Sequence, residues 1–95
     1  MARHRYVIAY DIADPARLRR VCTLMEDHGE RLQYSVFLCD LSPAERAELE
    51  SRATDVIDLA HDSIIHIDLG PIPSAPPIHT LGKPRTLPNP RAKIV

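Results

Sequence analysis

Ninety-five residues, 44% hydrophobic and 26% charged, make one ordinary globular domain near the lower end of sizes that bury an adequate core alone. A formal net charge of −1 gives no reason from total charge to expect a polyanion partner. No apolar run nears the roughly twenty residues of a membrane-spanning helix, so no membrane association is expected.

The first element is Tyr6-Val7-Ile8-Ala9-Tyr10-Asp11. Its β-branched and aromatic residues suit a largely buried central strand. Asp11 then stands at the strand's carboxyl end, rigidly held yet within reach of solvent. By itself it reads as a turn or capping carboxylate or as a metal ligand. The residues before Tyr6 lead straight into the strand and leave no room for a signal peptide.

Asp14-Pro15 is an N-cap followed by proline at the first helical position. Leu18, Val21, Cys22 and Met25 form an apolar stripe, and Gly29 is placed to stop the helix in a left-handed turn. Arg17 and Arg20 share one flank of its first turns, close to where Asp11 leaves the strand.

The stretch from Arg31 to Leu41 is strand-like but too long for one ordinary strand. It predicts two short strands with a tight turn near residues 33–35. Beyond the turn, Val36 and Leu38 face one side, Phe37 and Cys39 the other. Ser42-Pro43-Ala44-Glu45 is a capping box, and Leu49, Ala53, Val56, Ile57 and Ala60 make the second stripe. Ser63 to Leu69 is another strand, ended by Gly70-Pro71.

From there the chain is proline-rich. Pro71, Pro73, Pro76 and Pro77 make an extended connector, Ile78-His79-Thr80-Leu81 an edge-strand candidate, and Ala92-Lys93-Ile94-Val95 a last short strand. Residues 1–82 read as the domain and 83–95 as a basic tail, either frayed or added to a neighbour's sheet edge.

Charge is segregated. Arg3, Arg5, Arg17, Arg19, Arg20 and Arg31 lie early, an acidic block runs from Asp40 to Asp62, and only basic residues follow Asp68. Such segregation can give a near-neutral chain one basic face, although on spacing alone solvated surface charge is the reading to prefer. Arginines at 17, 19, 20 and 31 suit phosphate oxygens because a guanidinium binds them bidentately; salt bridges to Glu26 and Asp27 are the alternative. Cys22 and Cys39 read as free thiols in a reducing cytoplasm, without metal-type spacing. Tyr34 and Phe37 offer stacking surfaces for bases or belong to the core or a dimer interface. His66 beside Asp68 reads as a structural histidine or a proton shuttle.

The order strand, helix, two strands, helix, strand is that of an α+β ferredoxin-like βαββαβ sandwich, here with an extra C-terminal strand. Tyr10-Asp11-Ile12, Asp14, the 17–21 cluster and above all Gly29-Glu30-Arg31-Leu32-Gln33-Tyr34-Ser35-Val36-Phe37 resemble the CRISPR-associated endoribonuclease of the adaptation module, the "Cas two" family. The resemblance spans essentially the whole chain. It implies a cytoplasmic homodimer in which two Asp11 face each other and hold a divalent metal, usually Mg2+. It also implies a hydrolase cleaving RNA or double-stranded DNA, or a non-catalytic DNA-binding scaffold bridging the spacer-integrase complex beside an integrase subunit. Arg20, Arg31, Ser35 and Phe37 fall on positions the family ties to activity or nucleic-acid contact, with Tyr10 in support; Arg17 and Arg19 are carried over with them. Ile65 and Ile67 depart from it, standing where an Arg and a Tyr are common.

Overall fold

Alternation with period two and apolar stripes with period 3.6 fix which face of each element is buried. In the computed structural model, which describes residues 2–82, they build β1 (His4–Asp11), α1 (Pro15–Glu26), β2 (Glu30–Gln33), β3 (Val36–Leu41), α2 (Pro43–Val56) and β4 (Ser63–Pro71). The strands form one antiparallel sheet in the order β2-β3-β1-β4. This is the expected ferredoxin-like arrangement, with β1 interior. The tail at 83–95, with the strand expected at Ala92 to Val95, lies outside the described residues.

Both helix starts follow the local chemistry. Asp14 accepts the Arg17 amide at 2.9 Å, and Ser42 and Glu45 exchange both bonds of a capping box, each cap followed by proline. The strand after Arg31 breaks as expected, at Tyr34 and Ser35. Tyr6, Ile8, Tyr10, Phe37, Cys39 and Leu41 are buried against Val21, Leu24, Met25, Leu49 and Ala53 of the helices. Alternation sends Val7, Ala9, Val36 and Leu38 to the other face, which no helix covers.

Four expectations need correction. Gly29 does not end α1 in a left-handed turn, since only Gly70 and Gly82 have positive φ among the described residues. It is glycine because β3 passes so close: a Cβ there would meet the Leu38 carbonyl oxygen and the Cys39 sulfur. The second stripe runs short, because α2 ends at Val56 with Ile57 as its C-cap, leaving Ala60 in an exposed turn. Ile78–Leu81 is not a strand, and Leu81 is fully exposed; four residues hold a strand only where an edge supplies its ladder. The proline connector is not extended throughout, for residues Ile72–Ser74 close one 3-10 turn.

Candidate functional site

Asp11 is the last residue of β1 and is exposed, opposite Ser63 in the register with β4. Its side chain shares the helix-free face with Val7 and Ala9. The same register puts Ile67 beside Val7 and Ile65 beside Ala9. Ile65 and Ile67 are 57% and 52% exposed, so the carboxylate stands at one end of an uncovered apolar surface. At the other end Arg5 grips Asp40 with two bonds of 2.9 and 3.0 Å. Among the described residues the Asp11 carboxylate has no hydrogen-bond or ion-pair partner, leaving both oxygens available.

The backbone behind Asp11 is braced from two sides. The Tyr10 amide donates to the Ser35 carbonyl at 3.1 Å, tying the β2–β3 turn to the end of β1. Beneath it Tyr10 stacks on Phe37 with ring centroids 6.2 Å apart, both rings buried. Phe37 is therefore a core residue and offers no face to a base; Tyr34, on the turn, is 60% exposed. Burial raises the Tyr10 hydroxyl's pKa well above its ordinary value, reinforced by Cys22 and partly offset by Arg31. Ser35 is half-buried, and its part here is played by its carbonyl.

The four arginines separate. Arg31 turns inward: its guanidinium lies 5.4 Å from the Phe37 ring centre and 5.9 Å from that of Tyr34, and it donates to the Cys22 sulfur. Its Nε is buried without a hydrogen-bond partner. Arg17 binds neither Glu26 nor Asp27 but Asp62, Nε to Oδ2 at 2.7 Å and Nη2 to Oδ1 at 3.2 Å. Arg19 and Arg20 are exposed and line a groove of about 660 Å³ between α1 and α2, where Arg52 joins them beside Asp27 and Asp55. That groove lies on the helix layer, across the sheet from the face that carries Asp11.

Sequence reasoning missed two members. Asp62 belongs to the acidic block, where charge patterning predicts solvated surface, yet its side chain is wholly inaccessible. Bonding to Arg17 holds its carboxyl far below the usual range against the opposing effect of burial. Only its position just before a strand hints at this. Arg52 sits on a helix otherwise rich in acids, and nothing in the sequence singles it out. His66 does not pair with Asp68. It approaches Glu50 at 3.5 Å and meets the Tyr6 ring edge-on, while Asp68 binds His4 at 2.9 Å. Cys22 and Cys39 are free thiols, the second buried and its pKa pushed up to about 12 by that burial.

A divalent cation such as Mg2+ takes hard oxygen ligands. Asp11, exposed and unpartnered, fits as one such ligand. Among the described residues no group of three or more His, Cys, Asp or Glu is placed to hold a metal.

A ferredoxin-like protomer with a strand-end carboxylate on its uncovered sheet face defines a recognisable class. The sequence profile described as CRISPR associated protein Cas2 matches residues 4–71, and the chain belongs to that family. It is 44% identical over 70 residues to CRISPR-associated endoribonuclease Cas2 1 of Rhodospirillum rubrum, covering 74% of this chain and 69% of that one. It is 38% identical over 64 residues to CRISPR-associated endonuclease Cas2 2 of Thermus thermophilus, covering 67% and 71%. The crystal structure of a hypothetical protein from Thermus thermophilus superposes with a TM-score of 0.76 at 32% identity, over 90% of this chain and 98% of that chain.

Proposed function

We propose that the chain is a Mg2+-dependent endonuclease of RNA or double-stranded DNA in CRISPR adaptation, working as a cytoplasmic homodimer with two Asp11 at its twofold axis. The observation that carries this is the company Asp11 keeps: an unpartnered carboxylate on the same helix-free face as Val7, Ala9, Ile65 and Ile67. Packing two such faces together buries the apolar patch and brings the two strand ends toward one another. Residues 1–82 are the domain of each protomer, and 83–95 a proline-rich basic tail.

The paired Asp11 carboxylates would hold a divalent ion, which would supply Lewis-acid polarisation of a phosphate oxygen and an activated water. The protein's own part is positional. The Ser35 carbonyl and the buried Tyr10–Phe37 stack hold the strand end that carries Asp11. Arg19 and Arg20 supply cation to the polyanion.

The test incubates wild-type and Asp11→Ala proteins with RNA and with duplex DNA, in Mg2+ and in EDTA, with gel-shift binding on the same samples. Cleavage in Mg2+ by the wild type alone is expected. Metal-independent cleavage, or cleavage retained by Asp11→Ala, overturns the reading. A second reading, the non-catalytic scaffold beside an integrase subunit, is favoured by the Arg19, Arg20 and Arg52 groove, which faces away from Asp11. It predicts salt-sensitive, sequence-independent binding that Asp11→Ala leaves intact, with no cleavage by either protein.

A further inference from the structure

Four hydrogen bonds from three residues meet at the Asp62 carboxylate. Oδ1 accepts the Ala13 amide at 2.9 Å and Arg17 Nη2 at 3.2 Å; Oδ2 accepts Arg17 Nε at 2.7 Å and the Asp58 amide at 2.8 Å. A carboxylate has about four lone-pair sites, and here each has a donor. The Arg17 amide in turn donates to Asp14, whose own backbone follows Ala13. Residues 13, 14, 17 and 62 thus form a closed ring of contacts around the loop that leaves Asp11.

The ring sits where it constrains that residue. Ala13 is two positions beyond Asp11, and Asp62 directly precedes Ser63, the cross-strand neighbour of Asp11. We propose that Asp62 and Arg17 are positioning residues for Asp11, and that Arg17, despite its place in the basic cluster, makes no phosphate contact. The proposal rests on the metal-binding reading of Asp11. The Nε–Nη2 edge of Arg17, one of the two with which a guanidinium clasps an oxyanion, is occupied, and its charge is balanced by an inaccessible carboxylate. Arg20, exposed in the helix groove, carries no such commitment.

The experiment compares full-length wild type, Arg17→Gln, Arg17→Lys, Asp62→Asn and Arg20→Gln. Three readouts are taken: the slope of log binding constant against log salt for duplex DNA, Mn2+ binding by electron paramagnetic resonance, and the Mg2+ midpoint of cleavage. Removing a real phosphate contact on duplex DNA lowers the magnitude of that slope by roughly 0.9. Arg20→Gln is expected to lower it so, and Arg17→Gln to leave it unchanged. Positioning groups behind metal ligands typically cost 10–100-fold in metal affinity or activity when altered. Mn2+ affinity and the Mg2+ midpoint should weaken by about tenfold or more in Asp62→Asn and both Arg17 variants.

Arg17→Lys separates the two roles without removing charge. A phosphate contact tolerates lysine as a point charge, whereas the bidentate clasp on Asp62 does not. Should Asp62→Asn fail to fold, Arg17→Lys carries the decision. A slope that falls in Arg17→Gln as it does in Arg20→Gln overturns the proposal, as does unchanged Mn2+ affinity in Arg17→Lys. A wild type that neither binds Mn2+ nor cleaves fails the Asp11 reading itself, and the positioning role falls with it. If wild type and variants bind the ion alike, only the positioning role falls.

Discussion

The twofold pairing of Asp11 stands or falls with the helix-free face, and two side chains there give it a magnitude. Ile65 and Ile67 keep 57% and 52% of their surface exposed. Full burial of an isoleucine is worth about 1.5–3 kcal/mol, so covering the exposed half of each contributes about 1 kcal/mol. A symmetric pair covers four such side chains, about 4 kcal/mol, which converts to roughly a thousandfold in dissociation constant. Replacing both by serine, and so all four in a symmetric pair, removes that contribution and leaves the helix-facing core untouched. Sedimentation velocity across a dilution series should show the double variant dissociating at about a thousandfold higher concentration than the wild type. Cleavage in Mg2+ should then depend steeply on protein concentration, because under the proposed function the active site forms only on association. A double variant that dimerises as tightly as the wild type would refute the reasoning, since the shared face would not be the interface and Asp11 would not meet its twin.

Gly29→Ala places a Cβ 2.5 Å from the Cys39 sulfur and nearer still to the Leu38 carbonyl oxygen. It should destabilise by about 1–3 kcal/mol, lowering the melting temperature by about 4–8 °C per kcal/mol; an unchanged melting temperature would show that β3 can retreat. Acid should unfold the protein through its carboxylates. Asp62 is held low by Arg17, Asp58 and Asp68 by the amides of Ala60 and Gly70, and Glu45 by that of Ser42, against ordinary values of 3.8 and 4.5. Depressed native values add stability that is complete above the ordinary values and is lost as pH falls through the native ones. Thermal stability should therefore hold steady down to about pH 5 and decline below about pH 4; a decline already under way near pH 6 would implicate histidines instead. Cys39, its pKa pushed up to about 12 by burial, should resist thiol reagents in the native state and react only on unfolding; native-state labelling of both thiols at one rate would contradict that.

The architecture was legible because its signals are local. Proline after Asp14 and after Ser42 marks each helix start, and alternation in Val36 to Leu41 assigns each side chain its face. What failed to show depends on a neighbour distant in sequence. Gly29 carries the usual sign of a helix stop, but its true constraint is a strand ten residues on. Ile78 to Leu81 has a strand's composition and pairs with no strand among the described residues. Asp62 looks like one more acid in an acidic block, and only the folded chain brings Arg17 and Ala13 to it. The same holds for the arginines: spacing marks 17, 19, 20 and 31 alike, while the fold commits Arg17 to Asp62, turns Arg31 onto Phe37, and leaves Arg19 and Arg20 exposed.

That sorting bears on how one small chain would serve both cleavage and grip under the proposed function. The sheet separates the Asp11 face from the Arg19, Arg20 and Arg52 groove, so a phosphate held in the groove is not the phosphate presented to Asp11. If two open faces close on one another, the grooves end up on the two outer surfaces of the assembly, where a long polyanion can reach them while the carboxylates lie at the centre. Isoleucine at 65 and 67 accords with this division: side chains buried between protomers are better apolar than charged, because an unpaired buried cation is costly. Basic residues serving to bind nucleic acid would then belong on the outer layer, which is where the exposed Arg19 and Arg20 stand. Binding and cleavage become separable by mutation, Arg52→Gln weakening grip without touching the Asp11 pair and Asp11→Asn doing the reverse. A loss of cleavage in Arg52→Gln that saturating nucleic acid cannot restore would show the two surfaces to be one site after all.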